Sequence, residues 1–87
     1  MLAGLDWVIL GGESGPEARS FDLEWARDVL GQCREAGVPC FVKQMGANPI
    51  DVGHPIALDD LKGGDMAEWP VELQVREWPH QEGRSAA

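Results

Sequence analysis

Tyrosine is absent, cysteine occurs only twice, and basic residues are scarce: seven Lys and Arg stand against 15 Asp and Glu, for a net charge of −8. Nonspecific nucleic-acid binding needs clustered Lys and Arg to neutralise phosphates, so direct nucleic-acid binding is not expected. A larger partner carrying a basic surface stays open. No run of about 18 apolar residues occurs, so no membrane-spanning helix is expected. The amino terminus has no basic region followed by an apolar stretch, so no secretion signal is read and the expected location is cytoplasmic. Cys33 and Cys40 are too few, and wrongly spaced, for a metal knuckle or a disulfide scaffold. They read as small buried hydrophobes in a reducing compartment. His54 and His80 lie in turn-rich segments, and neither has a context that sets it beside Ser14. No Ser-His-Asp arrangement is therefore expected.

The 87 residues suffice for one small domain. Four tryptophans, Trp7, Trp25, Trp69 and Trp78, are spread along the chain. Packing all four would extend the core beyond the central segment.

The richest segment is Leu5 to Pro16. Trp7 to Leu10 form an unbroken apolar run, the pattern of a strand covered on both faces, as in a parallel sheet. Gly11, Gly12 and Gly15 follow, and glycine lets the backbone take positive φ or approach a ligand closely. Polar groups just past the end of a parallel strand are where α/β folds place their chemistry. Glu13 and Ser14 occupy that position. A plain strand-to-helix turn with a solvated or capping Glu13 fits the same pattern. The loop lacks the Walker spacing, and its glycines do not match the dinucleotide fingerprint. Arg19 stands ready to pair with Glu13 across the loop, or to bind an anionic ligand.

A helix is predicted over Asp22 to Ala36. Asp22 suits the N-cap and Glu24 the first turn. Ala26, Val29, Leu30 and Cys33 make one apolar stripe. Arg34 lies in the last turn, Gly37 fits a left-handed C-terminal position, and Pro39 stops the helix. Cys40 to Gly46 then reads as a second strand. Strand, helix, strand over this length is a βαβ unit with parallel strands and a right-handed crossover. Lys43 and Gln44 then share a rim with Glu13 and Ser14. The candidate ligand-binding residues are Gly11, Gly12, Glu13, Ser14, Arg19, Lys43 and Gln44. No metal ligands are assigned, and the catalytic residues stay undetermined.

The expected organisation is a βαβ unit over 1–46, an irregular segment with a short helix over 47–82, and a disordered tail over 83–87. Residues 67–73 suggest one helical turn, and Val75 to Trp78 a short extended piece. One parallel pair with one helix leaves two faces and two edges to cover, so the chain looks like the end of a larger α/β fold.

Trp7-Val8-Ile9-Leu10-Gly11-Gly12-Glu13-Ser14-Gly15-Pro16, then Gln32 to Pro39, then Phe41-Val42-Lys43-Gln44-Met45-Gly46, resemble in order the C-terminal part of the phage Gp37/Gp68-like family, a domain of unknown function. Lys62 to Pro70 and Leu73 to Pro79 resemble that family's closing segment. The resemblance implies the last βα units of a TIM-like barrel in a considerably longer, radical-SAM-like protein. Full-length relatives would carry a [4Fe–4S] cluster, held by cysteine thiolates near the amino terminus, and S-adenosylmethionine. This chain lacks that cysteine cluster and has Met45 where the family pattern implies Trp. Gly11-Gly12-Glu13 resembles the Gly-Gly-Glu that holds the cofactor's amino group, but it stands before the last helix and strand rather than after the second strand.

Two functions follow as expectations. The first is a truncated C-terminal portion of a radical-SAM-like barrel, catalytically incomplete alone, without a cofactor of its own. Its partners would be the missing N-terminal barrel portion or a second copy. The second is a non-enzymatic phage accessory protein that binds a protein partner.

Overall fold

The computed structural model describes residues 5–79. The expectations for His80 and for the 83–87 tail fall outside those residues. The expected parallel pair is present. β1 (Val8–Gly11) and β3 (Cys40–Gln44) run parallel, with Val8 opposite Cys40 and Leu10 opposite Val42. The register then skips Lys43, so that Gly11 lies opposite Gln44. An extra residue of this kind bends the strand and re-aims its side chains.

The helix that joins them, α1 (Leu23–Ala36), forms for the local reasons the sequence offers. The Asp22 carboxylate accepts from the Glu24 N–H at 2.9 Å. At the other end Gly37 takes φ 71°; its N–H donates to the Arg34 carbonyl and that of Val38 to the Cys33 carbonyl. This pair of bonds is the Schellman closure, which needs a left-handed residue at Gly37. Ala26, Leu30 and Cys33 of the stripe are buried, and Val29 packs partly against them.

These helix residues share one core with Leu10, Val38, Cys40, Val42, Met45, Trp69 and Leu73. Only one face of the β1–β3 sheet is sealed in this way, which corrects the expectation of a strand covered on both faces. Val8 and Leu10 point to the core, whereas Ile9 is 54% exposed on the other face. The apolar run of β1 is therefore alternating in its surroundings although not in its composition. Its outer face carries an aromatic cluster instead. Trp7 stacks on Trp78 at 5.8 Å between centroids, and both rings meet Phe41 edge-on. Of the four tryptophans Trp69 alone is fully buried, with its indole N–H bonded to the Gly63 carbonyl at 2.9 Å.

The segment expected to be irregular carries more order than its sequence suggests. β2 (Phe21–Asp22) pairs in parallel with β4 (Pro49–Asp51), which pairs in antiparallel with β5 (His54–Pro55). The helical turn expected over 67–73 is two single 3-10 turns, Met66–Glu68 and Val71–Leu73, separated by Trp69 and Pro70. Proline has no N–H to continue the first turn. The extended piece at Val75 to Glu77 lies along the outer edge of β3. The Val42 N–H donates to the Val75 carbonyl at 2.8 Å, and the Glu77 N–H to that of Cys40 at 2.9 Å.

Candidate ligand-binding rim

The carboxyl ends of β1 and β3 meet a third segment at three glycines. A Cβ on Gly12 would lie 2.3 Å from the Met45 carbonyl oxygen; one on Gly46, 2.7 Å from that of Glu13; one on Gly63, 2.6 Å from that of Gly46. No real side chain fits at such distances. Hydrogen bonds close the same junction: Ala47 N–H to Glu13 carbonyl at 2.8 Å, Met45 N–H to Gly63 carbonyl at 2.8 Å, and Gly46 N–H to Lys62 carbonyl at 3.0 Å. The sequence offered positive φ or close ligand approach as the reason for Gly11, Gly12 and Gly15. At Gly12 the reason is close backbone packing.

The junction fixes the loop that follows, and the loop holds an ion pair. Glu13 accepts from the Arg19 backbone N–H at 2.9 Å and from its Nε at 2.9 Å, and Nη2 reaches the same carboxylate. The two-pronged guanidinium contact holds the Glu13 carboxyl down at about 2, well below its ordinary range, and the backbone bond adds to it. The Arg19 pKa is raised by the same partner. Both side chains remain open to solvent, 87% for Arg19 and 45% for Glu13. Such a pair adds little stability in water. It orients a charged edge.

Gly11, Gly12, Glu13 and Arg19 line a shallow cleft of about 310 Å³ together with Ser20 and Phe21. The structure thus gathers four of the seven candidate residues. The other three stand apart from that lining. Gln44 donates from Nε2 to the Gly12 carbonyl at 2.9 Å, so it braces the floor from behind. Ser14 is exposed beyond the cleft. Lys43 is exposed beside Gly11 on the outer face of the sheet, at the skipped position of the register. Among the described residues no group of three or more His, Cys, Asp or Glu is placed to hold a metal ion. None of the described helices is long and apolar enough to cross a membrane.

Chemically the cleft offers one anionic edge, one cationic edge and an aromatic wall at Phe21. A zwitterionic ligand could exchange its own charges for the Glu13–Arg19 contact without leaving either group bare.

A family model described as a protein of unknown function (DUF5131) matches residues 1–85. The chain belongs to this family. No curated protein and no solved structure matches it significantly.

Two arginines near the site escape sequence reading. Arg27 donates to both oxygens of Asp51 at 2.8 Å and to Glu72 at 2.7 Å, tying α1 to β4 and to the second 3-10 turn. Arg76 lies over the Phe41 ring at 5.1 Å and the Trp69 ring at 5.4 Å. Its guanidinium also donates to the carbonyls of Val42 and Lys43. It thereby satisfies strand-edge acceptors that another strand would otherwise take. Their hydrogen-bond partners lie 24 to 45 residues away, and no local spacing announces contacts at that range.

Proposed function

We propose that this chain acts as the C-terminal part of a larger radical-SAM-like α/β barrel and is catalytically incomplete alone. The carrying observation is the free edge of β1. Among the described residues β1 pairs with β3 alone, and its outward side chain Ile9 is half exposed. An apolar, unpaired parallel strand is an invitation to further strands. The resemblance of the three quoted sequence blocks supports the same reading, since it implies preceding barrel strands on that side. In this reading the Glu13–Arg19 cleft contributes to the rim of the completed barrel. Glu13 faces a ligand ammonium and Arg19 a ligand carboxylate, while the cluster cysteines come from the partner portion.

The test is coexpression with the N-terminal portion of a full-length relative. Copurification, with an iron–sulfur cluster and S-adenosylmethionine cleavage seen only in the complex, is the expected result. Ile9→Lys should block assembly. A chain that stays apart from that portion and binds a different protein through the same face would favour the phage accessory function instead.

A further inference from the structure

A closed barrel has no edge: every strand in it lies between two parallel neighbours. The two edges of the β1–β3 pair differ in how far they allow this. In a parallel ladder alternate residues bond the neighbouring strand. The Val8 N–H donates to the Pro39 carbonyl and the Gly12 N–H to that of Gln44. Ile9 and Gly11 therefore turn their backbone groups the other way, where no strand among the described residues meets them.

At β3 the outward residues are Cys40 and Val42, and one segment, residues 75–78, takes all four of their backbone groups. The Cys40 N–H donates to the Glu77 carboxylate at 2.9 Å, and the Cys40 carbonyl accepts from the Glu77 N–H at 2.9 Å. The Val42 N–H donates to the Val75 carbonyl at 2.8 Å, and the Val42 carbonyl accepts from Arg76 Nε at 3.1 Å. Phe41 faces Arg76 across this contact in the antiparallel sense. The segment is also fastened from beyond β3. The Trp7 indole N–H donates to the Glu77 carbonyl at 2.8 Å, and Trp78 stacks on Trp7.

We infer that residues 75–78 are a built-in terminal strand and that the completed sheet is open: a partner strand joins at β1 alone, through Ile9 and Gly11, and none follows β3. The strand at β1 rests on the larger-barrel reading; the shut edge of β3 does not. A parallel newcomer at β3 would need the backbone groups of Cys40 and Val42, each already satisfied, and would have to strip the Val75, Arg76 and Glu77 bonds to reach them. An antiparallel edge strand on an otherwise parallel sheet is a common way to end one. The chain thus confines growth of its sheet to one side, and the rim stays an arc rather than a ring.

Amide hydrogen exchange of the full chain, alone and mixed with the N-terminal portion of a full-length relative, tests this. Alone, the Val42 and Glu77 amides should exchange about 100-fold more slowly than those of Ile9 and Gly11. In the complex the Ile9 and Gly11 amides should slow by about tenfold or more, while Glu77 keeps its protection. Loss of Glu77 protection on complex formation would mean that a partner strand displaces the segment, and would overturn the inference. So would a Glu77 amide that exchanges as fast as that of Ile9 in the isolated chain. Failure of the two portions to combine would overturn the larger-barrel reading, and with it the strand at β1. The isolated chain still decides in that case whether the edge of β3 is shut.

Discussion

At the scale of single residues, glycine identity is decided by what surrounds each position. Gly12 sits where a methyl group would strike the Met45 carbonyl at 2.3 Å, whereas Gly31, inside α1, has nothing within 4 Å. The same substitution should therefore have opposite signs. Gly12→Ala forces backbone apart at the three-glycine junction and should destabilise by about 3 kcal/mol. Gly31→Ala replaces a poor helix former with the best one and should stabilise by about 1 kcal/mol. Urea unfolding of the two variants measures both. Val52 carries the reverse lesson. It holds φ 52° at the tip of the β4–β5 hairpin, with Gly53 at 77°, and its side chain is 64% exposed. A β-branched residue is strained there, and hairpin turns with two positive φ values favour Asn-Gly. Val52→Asn should raise stability by about 1 kcal/mol, read as a higher urea midpoint with an unchanged slope.

At the scale of elements, what could be read in the sequence is what is local. Asp22, the apolar stripe, Gly37 and Pro39 define α1 within its own residues, and two apolar runs on either side define the parallel pair. The small β2–β4–β5 sheet was not legible, because strands of two or three residues carry no period. The role of Gly12 was not legible either: a glycine in a loop reads alike whether a ligand or another backbone approaches it. Among the site residues, the Glu13–Arg19 contact was foreseeable from proximity in the loop, while the Arg27 network was not. That network gives the elements their pH dependence. Arg27 lowers the pKa of Asp51 and of Glu72, as Arg19 does for Glu13. A carboxyl whose folded pKa is depressed contributes stability above its unfolded value and loses it as pH falls through the folded value. Stability should therefore decline as pH falls from the ordinary carboxyl values, 3.8 for Asp51 and 4.5 for Glu72, through their lowered folded values. Arg27→Met should lower the melting temperature by roughly 5 °C at neutral pH and flatten that decline, because Asp51 and Glu72 lose their partner. Arg19→Met should flatten it less, since both members of its pair are largely solvated. Melting temperature followed from pH 7 to pH 2 separates the two.

At the scale of the whole molecule, the sheet is finished on one side only. Val75 to Glu77 and the Arg76 guanidinium close the outer edge of β3. The other edge, along β1, pairs with nothing among the described residues. The outer face of the same sheet carries Ile9, 54% exposed, and Trp78, 58% exposed, the latter stacked on Trp7. A free backbone edge beside exposed apolar side chains favours association, and the burial gained must exceed the repulsion between copies that each carry a net charge of −8. Salt screens that repulsion, so self-association at micromolar concentration should strengthen as ionic strength rises. Sedimentation over a concentration series at low and high salt measures it. Ile9→Lys puts a charge on the free strand at an exposed position outside the buried core cluster. It should leave the melting temperature of the dilute chain unchanged and abolish association at both salt levels. A monomer at every concentration and salt level, melting in one sharp transition, would mean instead that the outer face tolerates water, and that the edge of β1 is not where this molecule meets another.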